Sequence, residues 1–242
     1  MELYNGIITA TRALLTGEAR RWDYDPSLAW RDTGASELVM QRDAAYELGG
    51  SGNPSANFTC VTGDEGLVER DEILLYGKDL GELRGDVSFA RLAFLLSDDL
   101  GGDDEAAYQA IRDMEFVKYH VFPEGYMVRI SSESNREQVR VSKPAVKKGI
   151  SFRSVGAAYI RGYHKNPHVR RVRLVFLTDS ALVPELAKTA KKVDAITRTL
   201  THILEGIPTD CGSCSLKPVC DEVEGMREMH FGMRNKTRGD AP

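Results

Sequence analysis

The run Thr209-Asp210-Cys211-Gly212-Ser213-Cys214-Ser215-Leu216-Lys217-Pro218-Val219-Cys220 places three of the chain's four cysteines within ten residues. No other stretch narrows the possible folds as much. A Cys-x2-Cys pair sets two sulfurs on one tight turn, and a third thiolate after five intervening residues can reach the same centre. Soft thiolate ligands select zinc or an iron–sulfur cluster. Gly212, Ser213 and Pro218 suit the loop that such a centre needs, and His230, ten positions beyond Cys220, is the candidate fourth ligand. A disulfide or a pair of core cysteines accounts less well for thiols packed this densely between polar turn residues.

With 242 residues, 42% hydrophobic and 28% charged, the chain has the composition of a water-soluble globular protein of one large domain or two small ones. No apolar run approaches the roughly 20 residues of a membrane span. The start, Met-Glu-Leu-Tyr-Asn-Gly-Ile-Ile-Thr, has neither the basic opening nor the apolar stretch of a signal peptide, so the expected location is the cytoplasm, where thiols stay reduced and open to metal.

Charge is unevenly spread. Between Arg129 and Arg173 stand twelve Lys or Arg against Glu133 and Glu137, a local +10 in a chain of net −4. Such a segment implies a locally held anion, such as a phosphate-bearing cofactor, or else a solvated basic face. Nucleic acid fits poorly, because the remaining residues carry an excess of negative charge.

The elements read as a mixture. Residues 3–20 pattern as a helix, 20–36 as irregular, and 37–48 as a strand stopped by Gly49-Gly50-Ser51-Gly52-Asn53-Pro54. Short strands follow at 58–61 and 72–76, with a buried apolar run at 89–96. Gly101-Gly102-Asp103-Asp104 opens a helix over 104–120. Strands at 126–130 and 138–141 precede a helical turn capped by Ser142 and ended by Gly149. A helix over 155–164, a strand at 171–177 and a helix from Thr178-Asp179-Ser180 to about Leu204 complete the pattern, with Gly206 and Pro208 as its stop. Strand and helix do not alternate regularly, so the expected class is α+β: a mixed sheet with packed helices, then a small cysteine-rich metal-binding tail. The divisions are 1–36 (helix and irregular lead-in), 37–205 (α+β domain) and 206–242 (tail). No Gly-x-Gly-x-x-Gly or P-loop pattern is present.

In that order of elements, several segments resemble the β-subunit (acetyl-CoA synthase) family of the carbon monoxide dehydrogenase/acetyl-CoA synthase complex. Tyr46-Glu47-Leu48-Gly49-Gly50, Asp71 to Gly85, Val139-Arg140-Val141-Ser142-Lys143-Pro144-Ala145-Val146-Lys147-Lys148-Gly149 and Arg170 to Asp179 carry the likeness, and the cysteines come next, as in the family. It spans roughly residues 40–235. The resemblance implies a CoA-binding middle domain and a [4Fe–4S] cluster, with Cys211, Cys214 and Cys220 as ligands. The family's last cluster cysteine falls where His230 stands, and histidine can replace cysteine on iron. Arg140 and Lys143 match positions the family uses toward CoA, whereas the aromatic expected before Arg140 is Gln138. Arg129, Arg140, Lys143, Arg153 and Arg161 are the residues expected to converge on the anion. The family's later Cys-Gly-Cys segment has no counterpart here, so complete acetyl-CoA synthesis by this chain alone is not expected.

Three readings stand. The first is an accessory or catalytic partner of a one-carbon or redox enzyme in anaerobic acyl-CoA metabolism, carrying a cluster beside CoA or a CoA thioester. The second is a non-enzymatic electron-transfer or assembly subunit. The third is a structural zinc domain of Cys3His type. No catalytic constellation is legible: His120, His164, His168 and His202 are scattered, and Cys60, in Phe58-Thr59-Cys60-Val61, reads as a core residue.

Overall fold

Two long apolar runs set the centre of the fold. The structure is a computed structural model that describes residues 2–50, 52–98, 100, 104–131, 136–178, 181–205, 214 and 217. Strand β5 (Phe89–Ser97) is buried along its whole length and pairs antiparallel with β8 (Val169–Leu177), from Ala90↔Leu177 to Ser97↔Val169. A strand covered on both faces needs a nearly continuous apolar sequence, which β5 supplies except at Arg91 and β8 supplies over Leu174–Leu177. Strand β3 (Ser55–Thr62) adds parallel to β5, β4 (Glu72–Tyr76) parallel to β8, and β1 (Arg20–Asp23) antiparallel to β4. The five-stranded order is therefore β1-β4-β8-β5-β3. A second, antiparallel sheet has the order β2-β7-β6, from β2 (Ala44–Leu48), β6 (Tyr126–Ile130) and β7 (Glu137–Ser142).

Helices cover the large sheet. Helix α5 (Val183–Leu204) lies along β3, with α1 (Asn5–Leu14) and α2 (Asp104–Phe116) against it. The other face receives α4 (Phe152–Tyr163), which packs on β8 and β4. Cross-strand register puts Asn57, Arg91, Phe176 and Leu75 on that same face, because side chains two apart share a side. The rings of Phe89, Phe152 and Phe176 meet there at 4.6 to 6.3 Å. Helix α4 starts where Ser151 and Ser154 exchange side-chain and backbone hydrogen bonds, a reciprocal cap. The single-turn α3 (Lys143–Lys147) is set by Ser142, whose hydroxyl accepts from Ala145 N–H at 3.2 Å, and by Pro144 in its first turn.

The body is α+β, with a mixed sheet and packed helices. Several boundaries differ from the sequence expectation. The first helix ends at Leu14, and Arg20–Asp23, expected to be irregular, is strand β1 because β4 offers it a partner. The strand expected over 37–48 forms only from Ala44, since its partner β7 stops at Ser142 to cap α3; Gln41–Asp43 is a 3-10 turn instead. Helix α4 begins three residues early, at its serine cap, and β8 begins at Val169, where Ser97 pairs with it. The expected helix opening at Asp179-Ser180, the turn at Gly101-Gly102-Asp103 and the stop at Gly206 and Pro208 lie outside the described residues.

Candidate functional site

Of the expected metal ligands only Cys214 is described; Cys211, Cys220 and His230 lie outside the described residues. Cys214 is a free thiol of intermediate exposure, and its carbonyl accepts from Lys217 N–H at 3.1 Å. The expected donor set, three thiols and an imidazole, would suit zinc or iron, and the partly exposed Cys214 thiol is compatible with either. Among the described residues no group of three or more His, Cys, Asp or Glu could hold a metal ion. Cys60 is fully buried on β3, and burial holds its thiol well above the ordinary cysteine range, so it is a poor ligand and a poor nucleophile.

The basic residues fall on two elements of the fold. Arg129 on β6 and Arg140 on β7 share the outer face of the small sheet, where Arg140 ion-pairs with Glu47 on β2. Lys143 donates to the Arg42 carbonyl at 2.8 Å. Arg153 and Arg161 are exposed on α4, beside the Tyr24-Asp25 segment that packs against that helix. No hydrogen bond or ion pair among the described residues joins the Arg140 group to the Arg161 group. Nor is the +10 segment an open field of charge. Glu47, Glu65, Glu72, Asp98 and Glu124, all from outside the segment, pair with Arg140, Arg170, Arg171, Arg173 and Lys148. Carboxylates brought in by the fold, rather than a required ligand, screen much of the repulsion.

Sequence reasoning missed the polar centre of the molecule. Arg91, 1% exposed on β5, sets its Nε 3.0 Å from each carboxylate oxygen of Glu137, which is itself fully buried on β7. Asn57 donates to the same carboxylate, and the Arg91 guanidinium lies 4.1 Å from the centroid of the Tyr159 ring. Burial opposes the charge on Arg91, but the Glu137 carboxylate outweighs it and raises the guanidinium pKa. This cluster bolts the small sheet to the large one. A single arginine inside the apolar run Phe89 to Ser97 was the available signal.

A cleft of about 590 Å³ lies between the end of α2 with its following 3-10 turn (Val117–Tyr119) and the end of α4. Phe116, His120, Gly162 and Lys165 form part of its wall. A smaller cavity of about 90 Å³, touching Lys118 and Tyr126, lies nearby. The His164 ring, by contrast, is anchored: Nε2 is 3.0 Å from Asp71 Oδ2, and that hydrogen bond raises its pKa. No protein-family model and no curated protein matches this chain.

Proposed function

We propose that the chain is a metal-binding subunit whose tail holds a [4Fe–4S] cluster on Cys211, Cys214 and Cys220, with His230 as the spacing's candidate for the fourth position. The observation that carries this reading is the division of its thiols: three of four cysteines crowd one ten-residue loop, while the fourth, Cys60, is sealed in the core and withdrawn from ligation. A cluster of this kind supplies one-electron redox chemistry or an open iron when bound. The α+β body then serves as its platform, and the likeness to the acetyl-CoA synthase β-subunit supports a place beside a one-carbon or redox enzyme, with a CoA-type anion as small ligand. Arg129, Lys143, Arg153 and Arg161 remain candidates for that anion; Arg140 already has its charge matched by Glu47. Zinc is the alternative occupant, since the same donors serve it.

Iron, acid-labile sulfide and zinc analysis of anaerobically purified protein separates the two metals. Single Cys→Ser changes at 211, 214 and 220 should each abolish the bound metal, whereas Cys60→Ser should leave it in place. In metal-free native protein, three thiols should alkylate quickly and Cys60 only after unfolding. Full metal content in all three tail variants defeats the reading.

A further inference from the structure

We propose that the cleft between α2 and α4 binds a nucleoside-phosphate ligand: a planar heteroaromatic ring carrying phosphate. This inference does not depend on the metal centre, and it places the ligand away from the Arg129 and Arg140 face.

Size comes first. At about 590 Å³ the cleft falls in the range of roughly 300–1,000 Å³ typical of small-molecule sites. Its wall includes Phe116, which is 46% exposed although it is a large aromatic. The ring is not loosely placed. Tyr119 packs at 5.7 Å and 55° to it, and the Arg112 guanidinium sits 5.5 Å from its centroid. An exposed, pre-positioned aromatic ring at a cleft suits a flat base, because stacking needs only a π-face.

Charge selects the rest of the ligand. Lys165 is exposed in the cleft wall, and the buried Nε of Arg112, on the Phe116 ring just outside that wall, has no hydrogen-bond partner among the described residues. The His120 ring is held by its Nδ1, 3.0 Å from the Phe116 carbonyl, which leaves Nε2 as the free ring nitrogen. The one carboxylate of the cleft, Asp113, accepts from Gln109 Nε2 at 2.8 Å on its own helix. An aromatic ring in the wall, with the Lys165 ammonium across the cleft and the Arg112 guanidinium beside the ring, matches a base at one end and phosphate at the other. Gly162 makes the site possible: a Cβ there would come within 2.5 Å of the Val121 side chain, so a larger residue would force the two walls apart.

The test is calorimetric titration of the full-length protein with ADP, and with orthophosphate as the ring-free control. ADP should bind saturably below about 1 mM, and orthophosphate more weakly. Phe116→Ala should weaken ADP about tenfold or more through lost stacking. Lys165→Ala should weaken it about fivefold, an effect that shrinks as salt rises. Both residues are exposed, so both variants should keep the native circular dichroism. Arg129→Ala and Arg140→Ala should leave ADP binding unchanged. Loss in those two with none in Phe116→Ala would overturn this site and favour the CoA-type anion reading above. No saturable ADP binding, or orthophosphate binding as tight as ADP, would overturn it as well.

Discussion

Removing the carboxylate of Glu137 should cost this protein a large part of its stability. At about 3 Å and an effective dielectric of about 20, a pair of unit charges attracts by roughly 5 kcal/mol. Desolvation of both ions offsets most of that, so the pair as a whole is worth little against an apolar replacement. Breaking it is another matter. Glu137→Ala leaves the Arg91 guanidinium, 1% exposed, facing Tyr159 and Asn57 with no counter-charge. The expected loss is about 3–5 kcal/mol, a fifth or more of the roughly 5–15 kcal/mol that holds a typical domain. The double variant Arg91→Met/Glu137→Leu should recover most of it, stopping about 1–2 kcal/mol short because the contact with the Tyr159 ring and the Asn57 hydrogen bond are gone. Urea unfolding followed by circular dichroism and by Trp22 and Trp30 fluorescence measures both variants. Because Glu137 and Arg140 share β7, the Glu137→Ala variant should also expose the outer face of the small sheet to faster hydrogen exchange. A single variant within about 1 kcal/mol of the parent, or a double variant no better than the single, would refute the argument.

His164 makes stability depend on pH. Its folded-state pKa is raised, chiefly by the hydrogen bond to Asp71, so its contribution is complete below the unfolded value of about 6.5 and fades as pH rises through the folded value. Urea midpoints between about pH 5.5 and 8.5 should fall along that course in the parent and flatten in Asp71→Asn; parallel curves would contradict the assignment. Gly156→Ala should destabilise by about 0.5–2 kcal/mol, since the new methyl lies 2.9 Å from Ile73 carbons and overpacking exceeds the helix-propensity gain. Ile73→Val should be less costly in that background than alone, and strict additivity of the two changes would rule out the contact as the cause.

How much of this was legible from the residues depended on the range of the forces involved. Strands β5 and β8 could be read because each carries its own local pattern, an apolar run in β5 and an Arg/Val alternation leading into Leu174–Leu177 in β8. The caps at Ser142 and the stop at Gly149 were readable for the same reason: cap, turn and helix are neighbours in sequence. Strand β1 was not, since Arg20-Arg21-Trp22-Asp23 has no apolar period and becomes a strand only when β4, fifty residues on, pairs with it. The basic segment was visible as a charge count, but Glu47, Glu65 and Glu72, which neutralise parts of it, lie about a hundred residues before the cations they pair with. The cysteine run is the reverse case, a purely local sequence feature whose Cys211, Cys220 and His230 lie outside the described residues. The cleft of Phe116 and Lys165 joins the ends of two helices and left no mark in either stretch alone.

The position of β8 in the large sheet carries a consequence for synthesis. Among the described residues it is the last strand in sequence but the middle one in space, between β4 and β5. Its partner β4 leaves the ribosome about a hundred residues earlier. At roughly 5–20 residues per second, the apolar strands β3, β4 and β5 wait about 5–20 seconds with no central strand to join them. During that interval β3 can pair with β5 and β1 with β4, but the edges of β4 and β5 that face β8 stay open. A chaperone that binds extended apolar segments should therefore engage it before residue 177 emerges, and release it once β8 is threaded between its neighbours.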